Sequence, residues 1–220
     1  MLKRFSLFFY TFDKAFYQLI GGYNMRKILT NIAILNYLII PVAVSINVVG
    51  YQLSQILRLP ILLDSIGTIL AGALCGPIIG ILTGALTTCI NGIINPIVFA
   101  YIGTSMIIGL AAGLLSKQHL LSTIPRVIVS ALLLSILTTL CSGIVTFYLF
   151  GGATGGTGSL LTASLLALGQ KLLTSVLSAQ LIQELIDKSL SLLMVYTVLK
   201  SLPDRFLIKF ENGGGYLNEN

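Results

Sequence analysis

From Ser65 to Ser116 no residue carries a charge, and the same holds again from Val127 to Gln170. A fold with its surface in water cannot absorb two such stretches, because the outer faces of soluble elements need charged side chains at short intervals. Across all 220 residues, 9% are charged and 55% are hydrophobic, where an ordinary soluble domain has about 25% charged. Within a bilayer, helices satisfy their own backbone N–H and C=O groups. The sequence predicts an all-α integral membrane protein.

A span takes about 20 mostly apolar residues, within a range of about 17–25. Six transmembrane helices are expected on that scale: Leu29–Gly50, Leu62–Leu74, Pro77–Ile94, Ile97–Leu115, Ile124–Phe150 and Leu181–Leu199. The second is short, so it either borrows Arg58–Ile61 or lies where protein covers it. Leu160–Ala179 is apolar but carries Gln170 and Lys171. It is expected as an extra helical or re-entrant segment between spans 5 and 6, lying across a face or dipping in, with a seventh crossing the other option.

Basic residues set the orientation. Lys3, Arg4, Lys14, Arg26 and Lys27 precede span 1, Lys117 and Arg126 flank the link between spans 4 and 5, and Lys200, Arg205 and Lys209 follow span 6. With six spans all three clusters share one side, so the N and C termini are expected to be cytoplasmic. The net charge of +6 then reports topology and not nucleic acid.

Three regions follow. Residues 1–24 form an N-terminal extension ahead of "MRKILTNIAIL", which itself reads as a start. That extension is a mis-start, an interfacial amphipathic helix or, least favoured for want of a small-residue cleavage site, a signal peptide. Residues 25–206 form the six-helix membrane domain. Residues 207–220, with "ENGGGYLNEN", are expected to be a disordered polar tail.

Catalytic signatures are missing. HExxH, GxSxG and GxxxxGK[ST] do not occur, and His119 is the only histidine. Cys75, Cys89 and Cys141 lie in apolar runs with no CxxC spacing and read as buried hydrophobes. "GGATGGTGS" at 151–159 lacks the phosphate-loop lysine and reads as a connector. No enzyme activity, metal or cofactor is expected, and any energy for transport must come from another subunit.

The polar residues inside the spans collect on the outer half. They are Asn47, Asp64, Asn91, Asn95, Gln180, Glu184 and Lys188, with Gln183 and Asp187 beside the last three. A central Asp, Lys or Arg costs about 2.5–3.5 kcal/mol on insertion scales, so these side chains are expected around a protein-lined cavity that could hold a small molecule. Two alternatives stay open. Glu184 and Lys188, four apart, could pair only with each other, and Asp64 could simply cap span 2 at the positive end of its dipole. Gly72, Gly76, Gly80 and Gly84 recur every four residues, which suits close helix packing within the chain or docking of a membrane partner.

The order of four pieces resembles a known family. A first span ending "NVVG", then "LPILLDSIGT", "GPIIGILTGALT" and the closing "DKSLSLLMVYTVLKSLP" together resemble the substrate-binding S-components of energy-coupling-factor transporters, over Met25 to about Phe206. The resemblance implies a six-helix subunit of the prokaryotic plasma membrane that binds a vitamin or related micronutrient from outside. It would deliver that cargo with a separate transmembrane coupling subunit and two cytoplasmic ATPases. It also implies a small-residue contact with the coupling subunit, for which Ala33, Ala43, Gly80 and Gly84 are the candidates, although neither alanine is followed by another four residues on. The competing expectation is a six-span sensor or assembly protein with no transported ligand. A stand-alone carrier is disfavoured because no inverted repeat is visible.

Overall fold

A computed structural model describes residues 34–59, 61–155 and 157–216, and among them the regular structure is helical with no strand. Residues 1–24, the start of the first expected span and Ala33 lie outside the described residues. Helix α1 covers Ile34–Ile56, α2 Ile66–Cys75 and α3 Pro77–Ile94, followed by a 3-10 turn at Pro96–Tyr101. Next come α4 (Ile102–Lys117), α5 (Ile124–Phe150), α6 (Thr157–Ala167), α7 (Leu172–Ser201) and a single turn, α8, at Asp204–Leu207. Among the described residues four stretches are long and apolar enough to cross a bilayer: Asn36–Ile56, Pro77–Ile94, Pro96–Lys117 and Ile124–Phe150.

Helix α7 falls outside that set because Glu184, Asp187 and Lys188 sit in its middle. Its faces are nonetheless inverted relative to a soluble helix. Ile182, Ile186, Leu190 and Leu193 are exposed, while Glu184, Asp187, Lys188 and Ser191 are buried. An outward apolar face around an inward polar one is the arrangement a lipid solvent favours. On α5, Ile128, Leu132, Ile136, Leu140 and Ile144 are likewise exposed, whereas Ser135, Thr138, Ser142 and Thr146 are buried against α7. These features are consistent with an all-α protein embedded in a membrane.

Small residues set the spacing of α2, α3 and α4. A Cβ added to Gly80 or to Gly109 would run into the other's backbone, and one on Gly84 would meet the Ser105 carbonyl. The α2–α3 turn rests on Gly76, whose φ of 88° suits glycine, with Pro77 in the first turn of α3. Ala43 is 1% exposed, and its carbonyl lies where a side chain on Gly67 would sit. So Ala43, Gly80 and Gly84 are used inside the chain. All three are buried in close contacts between helices of this chain.

Two further expectations change. The segment at 160–179 is not one helix. It breaks after Ala167, where Gly169 adopts a φ of 84° and Gln170 and Lys171 are exposed, and its second half opens the 30-residue helix α7. The expected disordered tail is instead folded as far as Tyr216, because Leu207, Phe210 and Tyr216 supply apolar anchors that the glycines around them obscure. Asn212 N–H donates to the Leu74 carbonyl at 3.0 Å, Ser116 and Tyr216 hydroxyls lie 2.6 Å apart, and Lys117 pairs with Glu211 at 3.4 Å. Burial pushes the Tyr216 phenol up to about 12. These contacts put the end of α4 and the C-terminal segment at the same end of the bundle.

Candidate functional site

Helix α2 has only 10 residues, about 15 Å at 1.5 Å per residue, half of a hydrocarbon core about 30 Å thick. The partly buried non-helical residues before it need partners for their backbone groups. Asp187 is one, from α7. Leu63 N–H donates to its Oδ1 at 2.8 Å and Leu62 N–H at 3.2 Å. The Ser65 hydroxyl donates to Oδ2 at 3.4 Å. Leu63 is held at φ 53°, a left-handed conformation uncommon for a bulky residue and one that a functional site can impose. Gly50 on α1 leaves room for this segment, since a side chain there would strike the Leu63 carbonyl.

The same carboxylate anchors a buried charge cluster. Lys188 Nζ lies 2.7 Å from Asp187 Oδ2, 3.2 Å from Glu184 Oε2 and 3.1 Å from Ser65 Oγ. Glu184 Oε2 also accepts from the Thr138 hydroxyl at 2.9 Å, and the Ser135 hydroxyl donates to the Glu184 carbonyl. One turn along, Ser142 donates to Gln180 Oε1 at 3.1 Å, Gln180 Nε2 donates to Thr146 at 3.0 Å, and Thr146 meets the Tyr101 hydroxyl at 2.8 Å. A ladder of hydroxyls on α5 thus holds the polar face of α7.

Above this ladder lies a cavity of about 400 Å³, within the range of roughly 300–1,000 Å³ usual for small-molecule sites. It sits at the end of the bundle where α1 and α3 finish and α2 and α4 begin. Of the residues expected there, Asp64, Asn95, Gln180, Glu184 and Lys188 line it together. Asn95 does so as a positioned side chain, donating to the Tyr51 hydroxyl at 3.1 Å and accepting from Ile97 N–H at 3.3 Å.

Asn47 and Asn91 do not line the cavity. Asn47 cross-links helices, donating to Thr68 and Thr87 at 2.8 and 3.0 Å and accepting from Gly67 N–H at 2.6 Å. Asn91 is 1% exposed on α3, and neither amide atom finds a partner among the described residues. Neither belongs to the wall of the cavity. The capping expectation for Asp64 also fails. Ser65 holds the N-cap position of α2 without a side-chain bond, and the Gly67 N–H in its first turn donates to Asn47.

Three contributions were not singled out from sequence. Asp187 was seen beside Glu184 and Lys188, but nothing in its spacing pointed to a segment over 120 residues away. The hydroxyl face of α5, which gives Ser142 and Thr146 to the cavity, was legible in principle, since Ser135, Thr138, Ser142 and Thr146 recur at three or four residues. The glycine-rich segment that reads from sequence as a connector supplies Gly152, Thr154, Gly155, Gly158 and Ser159 to the wall. There the Ser159 hydroxyl accepts from Thr154 and Gly155 N–H. Among the described residues no cluster of His, Cys, Asp or Glu is arranged to hold a metal ion. Comparison with known proteins gives no match among family models, curated proteins or solved structures.

Proposed function

We propose that this chain is the substrate-capture subunit, or S-component, of an ATP-driven uptake transporter of the energy-coupling-factor type, binding a vitamin-like micronutrient at the outer face of a prokaryotic plasma membrane. In this reading the chain crosses the bilayer six times. Helix α2 with its non-helical approach makes the second crossing, α7 makes the sixth, and both termini are cytoplasmic. A transmembrane coupling subunit and two ATPases supply the energy. The coupling subunit then meets outward residues other than Ala43, Gly80 and Gly84.

One observation carries the proposal. An apolar bundle places a cavity of ligand size at one end, against a fixed cluster of buried charges. An interrupted helix beside such a cluster is how membrane carriers build solute sites near the middle of the bilayer. The sensor or assembly alternative expects every outer polar side chain to be consumed by internal hydrogen bonds. Asn47 meets that expectation, whereas Asp64 accepts only from its own backbone N–H and lines the cavity.

Thermal unfolding of the detergent-purified chain against a vitamin panel tests the proposal. A ligand that binds the native state at a hundredfold excess over its dissociation constant stabilises it by about 2.7 kcal/mol. One saturable rise in Tm is expected. A flat panel on folded protein would favour the ligand-free alternative.

A further inference from the structure

We infer that the ligand of this cavity is a small organic cation, a protonated amine or cationic nitrogen heterocycle with no carboxylate or phosphate of its own. The inference rests on the capture reading above and follows from donor and acceptor accounting. An ammonium has three N–H donors and no acceptor. Lys188 has three partners within reach: Asp187 at 2.7 Å, Ser65 at 3.1 Å and Glu184 at 3.2 Å. It is the one lysine or arginine among the residues lining the cavity. An anionic ligand would find no unengaged cation.

Acceptors are in the opposite condition. Asp187, behind the wall, is saturated by two backbone N–H groups, the Ser65 hydroxyl and Lys188. Glu184 takes both Thr138 and Lys188 on Oε2, which leaves Oε1 without a bond from another described residue. Asp64 lines the cavity and its carboxylate receives no hydrogen bond or ion pair from another described residue. Three carboxylates thus share one ammonium, and the two with acceptor capacity left over, Asp64 and Glu184, border the open space. A carboxylate in an apolar setting is stable when a cation and donors meet it. The ligand supplies both.

The test is thermal unfolding of the full chain in detergent, with a panel sorted by charge. Thiamine, choline and spermidine are the cations, riboflavin and nucleosides the neutral members, and biotin and pantothenate the anions. The largest stabilisation is expected from a cation. Asp64→Asn should leave the Tm of the ligand-free protein in place and weaken that ligand roughly ten- to a hundredfold, the loss of one charged hydrogen bond, while Asp64→Glu keeps most of the affinity. A neutral or anionic best ligand overturns the inference and leaves the capture reading standing. A cationic ligand indifferent to Asp64→Asn also overturns it. A panel in which nothing binds overturns the capture reading and the inference with it.

Discussion

Asp187 and Lys188 are adjacent, and neighbours on a helix point about 100° apart, so spacing alone gave no reason to pair them. Geometry from outside the helix makes the pair, because the Leu62–Ser65 segment brings three donors that one carboxylate, with two oxygens, can accept together. Residues read from short range fared better: Glu184 and Lys188, four apart, do meet, and they also line the cavity. Asp187→Asn should therefore cost about 3–5 kcal/mol, the penalty for breaking a buried ion pair from one side. Chemical or thermal unfolding would show it, with Asp64→Asn as a nearly neutral comparison. Asn47→Leu should cost about 1–3 kcal/mol, since it strands the Gly67 N–H and two threonine hydroxyls in a dry interface. A change within error would mean that these groups re-pair.

At the scale of elements, hydropathy placed α3, α4 and α5 well because those helices are apolar around most of their circumference. It could not resolve where α7 begins, since Gln170 and Lys171 interrupt an apolar run whose break depends on Gly169 taking a left-handed φ. Nor could it see that Leu207, Phe210 and Tyr216 tie a polar tail to the turn between α2 and α3. The glycine repeat did announce close packing. Whether that packing served this chain or a partner was decided by the facing residues Gly109 and Ser105, far away in sequence. Gly109→Val should destabilise by at least about 1–3 kcal/mol through overpacking against α3. Gly103→Ala has nothing within 4 Å of the new methyl and should stay within about 0.5 kcal/mol. Unfolding midpoints of the two variants, measured side by side, check the contrast.

For the whole molecule, the charge asymmetry and the six-span reading make one prediction about sidedness. In a background with its three cysteines replaced, Gln170→Cys should react with a membrane-impermeant maleimide in intact cells. Gln118→Cys, beside Lys117 and the C-terminal segment, should react only after the cells are opened. Reversed labelling would invert the orientation, and equal labelling of both would defeat the span count. The deeper claim is a division of labour, in which this chain holds a solute and another machine supplies the work. The most direct measurement is radiolabelled uptake into vesicles that contain this chain alone, using the solute that raises its Tm. The account predicts saturable retention of no more than one solute per chain, unchanged by ATP or by an imposed ion gradient. Accumulation beyond that stoichiometry, or no saturable retention, would contradict it.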